Sequence, residues 1–324
     1  MDRRSFVIGT TALAAAGPVF AQDAFPSHAI TILNAFPPGG ANDIATRPFA
    51  SALEAVVKQP VVVETKAGAG GQVGAQVGAN AKPDGYTLLS HNNGLSGYEE
   101  VDKLFGRQPK TTRTDFIPLA RLIADPVLVL VNDQQPYKTL KDLIDDAKKR
   151  PEAIIYSSGG LYGATHLPVA LLEKATGIPK LRHLPTNGGG PAVTALLGNN
   201  AQMSTQTISA SLPHIKAGKL RPLASFGGKR SPSVPDVPTL KELGYDVEYY
   251  LWVGIFAPKG TPANIVATLS AAIDKAGTSD AYKTAMSNAG LQADYLNAAA
   301  FAKFWAEDAK RSDEAVKLIG RVQG

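Results

Sequence analysis

The chain has no cysteine. That excludes disulfide staples, thiol nucleophiles and zinc–thiolate sites, so a core must hold the fold unaided. Past the N-terminal stretch no segment approaches the roughly 20 uninterrupted apolar residues that a membrane-spanning helix needs. An excess of one charge is missing too. The 33 Lys and Arg stand against 28 Asp and Glu, a formal +5, and they are scattered. A nucleic-acid role has no support in that pattern. Catalytic motifs are absent as well: there is no G-x-S-x-G, no H-E-x-x-H and no Gly-Lys-Ser/Thr. The five histidines are dispersed, and Asp145-Asp146 reads as a solvated helix face rather than a metal pair. No metal or cofactor is expected.

What is present begins with the N-terminus. "MDRRSFVIGTTALAAAGPVFAQ" has a basic start, an apolar stretch from Phe6 to Ala16, a Gly17-Pro18 break and a small-x-small site at Val19-Phe20-Ala21. Residues 1–21 therefore read as a signal peptide, and Arg3-Arg4-Ser5-Phe6 also fits the twin-arginine type. The mature protein is expected to be soluble and exported. Hydrophobic residues make up 44 % and charged ones 19 %, enough for a sizeable core.

From Ala29 strands alternate with helices: "ITILNAF", "PVVVET" and "YTLLSHN" in one set, "AIIYS", "KLRHL" and "AQMSTQ" in another. Strands alternating with helices at this spacing indicate a doubly wound, mainly parallel sheet. The two sets predict two lobes of one architecture. Ligands in such sheets sit at the carboxyl ends of the strands. The segments found there are "PPGGAND", "KAGAGG", "SHNNGLSG", "SSGGLYGATH", "PTNGGG" and "STQTIS". All are built from glycine, small hydroxyls and asparagine. Glycine lets a ligand approach the backbone, and the free N–H groups of a following helix attract an anion. A dinucleotide is excluded by spacing: after Gly68 and Gly70 the third glycine position is Val73, and Gly74 comes one residue late.

Asp43 stands where a helix N-cap is expected, and Pro48 suggests that the first helix starts nearer Thr46 than Asn42. His166 opens a helix after a glycine loop; a ligand contact and a structural place are both open to it.

"FPPGGANDIATR", "ETKAGAGGQVGAQVGANAKPDGYTLL", "GATHLPVALLEKATG", "GGGPAVTALLGNNAQM" and "PDVPTLKELGYDVEYYLWVGIFAPKGTPANIV" occur in that order. Over essentially the whole mature chain this resembles the periplasmic solute-binding proteins of tripartite tricarboxylate transporters, the Bordetella-uptake-gene (Bug) type. The resemblance implies a two-lobed, Venus-flytrap periplasmic-binding-protein fold without catalysis, working as a monomer. Lobe 1 would be 22–124 plus 226–324 and lobe 2 would be 125–225, with hinges near Ala124-Asp125-Pro126 and Ala224-Ser225-Phe226. It implies capture of a small organic carboxylate, aliphatic or aromatic (terephthalate-like), for delivery to membrane permease subunits. Its ligand residues carry over to Pro38, Gly39, Gly40 and Asp43, to Ala69, Gly70 and Gly71, to Ser158, Thr165 and His166, and to Asn187 and Gly188. Thr205 and Gln206 follow Met203 where an acidic residue is frequent in the family, which argues against an amino-acid ligand. Asn92 and Asn93 are available for a second polar end. Two other readings compete: an exported hydrolase or transferase using His166 with a loop serine, and a ligand sensor for a receptor.

Overall fold

The computed structural model describes residues 25–291 and 293–322. The signal-peptide reading of 1–21 lies outside the described residues. Strand β1 (Ile30–Asn34) leads through Pro37-Pro38-Gly39-Gly40 into helix α1 (Ala41–Val57). Its N-cap is Gly40 in extended conformation, so Asp43 sits in the first turn and is not the cap. The start expected near Thr46 is likewise corrected. Pro48 lies inside the helix, where it removes one backbone bond. Ala41, Ala45, Phe49 and Leu53 recur at helical spacing and are all buried, and this packed face carries the helix through the proline.

Strand β2 (Val61–Thr65) is followed by a 3-10 turn at Ala69–Gly71 and helix α2 (Gln72–Ala79). Strand β3 (Thr87–Asn92) runs into α3 (Gly94–Leu104), and the long β4 (Phe116–Asn132) follows. Next come α4 (Leu140–Lys149), β5 (Ile155–Ser158), α5 (Leu167–Thr176), β6 (Arg182–Pro185) and α6 (Gly189–Leu197). After β7 (Met203–Thr207), α7 (Ile208–Lys216) and β8 (Leu220–Ser225) the chain returns through β9 (Tyr250–Pro258). It closes with α8 (Ala263–Gly277), α9 (Asp280–Asn288), the short β10 (Leu296–Asn297) and α10 (Ala298–Ile319). Among the described residues no helix is long and apolar enough to cross a membrane.

The strands form two halves joined along β4. In the first, β2, β1 and β3 are parallel, and β9 pairs antiparallel with both β3 and β4. In the second, β6, β5 and β7 are parallel, while β7 and β8 pair antiparallel with β4. Each half thus keeps a parallel trio of strands, with antiparallel strands beside it. β4 pairs with β9 as far as Pro126 and with β7 from Val127 onward. Proline has no N–H to give a ladder, so the partner change falls where one donor is missing. Beside it Phe226 N–H donates to Val127 O at 2.8 Å, and Tyr249 N–H donates to Phe226 O at 2.9 Å. Helix α10 packs against α3 in the first half and α5 in the second. Its Phe301 and Trp305 meet Trp252 and Phe256 in an edge-on aromatic seam, with Trp305 and Phe256 ring centres 4.9 Å apart.

Candidate functional site

The strand-to-helix loops of the two halves meet around a cavity of about 30 Å³, room for little more than one or two waters. Gly40, Ala41 and Asn42 line it from the start of α1, and Asn92 stands just before α3. Gly163, Ala164 and Thr165 precede α5, Gly189 begins α6 and Thr207 caps α7. The starts of α1, α6 and α7 and the loops leading into α3 and α5 therefore converge on one point. Some of the first-turn N–H groups already have acceptors, Gly94 N–H at Asn92 Oδ1 (3.0 Å) and Ser209 N–H at Asp125 Oδ2 (3.1 Å). Gln206, Phe36 and Leu251 complete the wall. Among the described residues the lining holds no charged side chain. An anion here would be held by backbone dipoles and neutral amides and hydroxyls, not by an ion pair.

Glycine also serves the contact between the halves. A Cβ on Gly190 would stand 2.5 Å from the carbonyl oxygen of Pro38, and one on Gly160 would be 2.9 Å from Gly70 Cα. Both are shorter than carbon atoms tolerate, so these loops touch backbone to backbone only because no side chain intervenes. Two residues bearing side chains, Ala69 (φ 47°) and Tyr162 (φ 54°), also adopt the left-handed region in these facing loops. Such strain persists only where surrounding contacts fix it.

The second loop is braced from below. Tyr98 Oη donates to Gly70 O at 2.8 Å, and His91 Nε2 lies 3.3 Å from Gly71 O. His91 Nδ1 lies 2.9 Å from both the backbone nitrogen and the carbonyl oxygen of Asn92, and Nε2 lies 3.1 Å from Tyr98 Oη, so the ring braces the loop in either neutral tautomer. Burial lowers its pKa to about 4, which keeps the ring neutral.

Of the residues expected at the ligand, Gly40, Asn92, Thr165 and Gln206 line the cavity. Pro38, Gly39, Gly70 and Gly188 shape the facing loops. Asp43 turns its carboxylate back to its own loop, accepting from Gly39 N (3.3 Å), Asn34 Nδ2 (3.4 Å) and Arg47 Nε (2.6 Å). Thr165 Oγ1 accepts from Gly159 N at 2.7 Å, and the Thr205 hydroxyl donates to Thr165 O. Ser158 Oγ meets His183 Nε2 at 2.7 Å. Asn93 lies apart from the lining: its amide donates to the Tyr249 hydroxyl (2.7 Å) and the Tyr250 carbonyl (3.3 Å). Ala69 and Asn187 are exposed and Gly71 is buried beneath its loop. His166 is the N-cap of α5, accepts the Tyr162 N–H at Nδ1 (2.8 Å) and stacks on His183 with ring centres 4.4 Å apart. Burial, then His183 and Lys180, lower its pKa to about 3.

Sequence reasoning passed over Asn42. It is 2 % exposed, its amide nitrogen donates to Ser90 Oγ at 3.1 Å, and its Oδ1 has no partner. The only signal was its place in "PPGGAND", immediately inside the helix start.

The model of the tripartite tricarboxylate transporter family receptor matches residues 45–321. Three solved structures share the fold. The periplasmic binding protein BugD is 28 % identical, with a TM-score of 0.84 over 92 % of this chain and 100 % of that one. MatC from Rhodopseudomonas palustris with bound malate is 28 % identical, TM-score 0.82, over 90 % and 99 %. A second R. palustris protein, with adipate, is 27 % identical, TM-score 0.84, over 91 % and 98 %. The fold is that of the two-lobed periplasmic binding proteins. With the model matching most of its length, the chain belongs to the tripartite tricarboxylate transporter receptor family.

Proposed function

We propose that the protein is a periplasmic receptor that closes two lobes on a small organic carboxylate and passes it to the permease subunits of a tripartite transporter. The observation that carries this reading is the charge-free lining on which the starts of α1, α6 and α7 and the loops leading into α3 and α5 converge. Malate and adipate in similar proteins support the ligand class. The lobes are 22–124 with 226–324, and 125–225. The change of strand partner after Pro126 and the end of β8 at Ser225 support those limits. Residues 1–21 serve export, and the receptor acts as a monomer. The hydrolase reading draws nothing from the geometry: Ser158 is bonded to His183 rather than His166, and His183 Nδ1 lacks any partner to orient it.

Isothermal titration with malate, adipate and terephthalate tests the reading. At least one aliphatic diacid should bind at about micromolar Kd. No binding of any of the three at millimolar concentration would overturn it.

A further inference from the structure

Side chains alternate across β9. Leu251 faces the cleft, while Tyr250 and Trp252 face a separate cavity of about 490 Å³. Helix α5 closes this second cavity on one side through Leu167 and Leu171, and α10 closes it on another. Its size is that of a small-molecule site. One acidic group inside lacks a cationic partner. Trp252 is 1 % exposed, and its side chain hydrogen-bonds the Asp308 carboxylate. Asp308 has Ser96 Oγ at 3.3 Å, but among the described residues no cation comes within ion-pair distance. Burial raises its pKa to about 6, although hydrogen bonds from Trp252 and Ser96, and then Arg311 and Arg121, oppose the shift. Arg121 is engaged elsewhere, paired with Asp294 at 2.8 Å and lying over the Phe304 ring at 4.4 Å. Lys174, Glu248, Arg311 and Glu314 are exposed residues of the lining.

We propose that this cavity is a second binding site, for an amphipathic organic cation whose ammonium meets the Asp308 carboxylate and whose apolar body lies against Trp252, Phe304 and Leu171. An acidic group among aromatic faces is the setting in which organic ammonium ions are recognised. Its residues are distinct from those of the cleft lining, so amine binding is measured without any carboxylate present and tests this site separately from the carboxylate reading.

The test titrates phenethylammonium chloride into the full chain, with calorimetry and tryptophan fluorescence as readouts. 2-Phenylethanol and 3-phenylpropionate serve as neutral and anionic controls. The amine should bind saturably at sub-millimolar Kd, about tenfold or more tighter than either control. Asp308→Asn should weaken it about tenfold. Leu171→Trp, which fills the apolar side and leaves the acid in place, should weaken it to a similar degree, and decides the matter if the Asn variant does not fold. Absence of binding, equal binding of the alcohol, or undiminished binding in a folded variant would each overturn the proposal.

Discussion

Gly190 faces the Pro38 carbonyl so closely that a single methyl would collide with it. As the second residue of α6 it lies in ordinary helical backbone, and alanine is the better helix former there. Gly190→Ala should therefore leave the melting temperature nearly unchanged while weakening the cleft ligand about tenfold or more, since the loops could no longer meet. Unchanged affinity by calorimetry would show that this contact is not part of the bound form. Asp125 makes a different prediction. It is wholly buried at the strand crossing, accepting from Ser209 N (3.1 Å) and Ser209 Oγ (2.5 Å). Burial raises its pKa to about 7, against hydrogen bonds from Ser209, Thr207 and Ile208. An acid with its folded pKa raised binds more protons folded than unfolded, so stability falls as pH climbs from about 4 to about 7. Melting curves of Asp125→Asn should gain on the parent across that window, by an amount on the order of a few kcal/mol at its upper end. A difference independent of pH would mean that Asp125 does not titrate there.

The elements that could be read from sequence were those set by local pattern. "ITILN", "PVVVET" and the later strands carry apolar runs bounded by turn residues, and their loops show a shared composition without any knowledge of the fold. The start of α1 was misread because Pro48 and Asp43 are strong local signals, whereas the packing of Ala45, Phe49 and Leu53 is tertiary. Pro126 looks like a break, yet β4 runs straight through it because the strand changes partners at that residue. The antiparallel place of β9, between β3 and β4, joins residues more than a hundred positions apart, and no local period records that. The same limit governed the site. Gly40, Thr165 and Gln206 could be named from their loops, but the inward face of Asn42, the outward turn of Asn93 and the His91–Tyr98 brace depend on which strands become neighbours.

For the whole molecule, the proposed lobe limits put any opening at the ribbon in which Val127, Phe226 and Tyr249 are hydrogen-bonded side by side. Such a ribbon bends more easily across its face than within its plane, so a hinge rotation about one axis is the expected motion. Small-angle scattering should give a smaller radius of gyration with saturating ligand than without it, and identical profiles would count against closure. The charge-free lining has a consequence for inheritance. An anion held by main chain keeps that hold through substitutions that leave the backbone in place, unlike one at Gly190. Asn42, Asn92 and Gln206 add side-chain amides to the same lining. Substitutions at those three positions would therefore change which cargo fits sooner than they change the preference for an acid group.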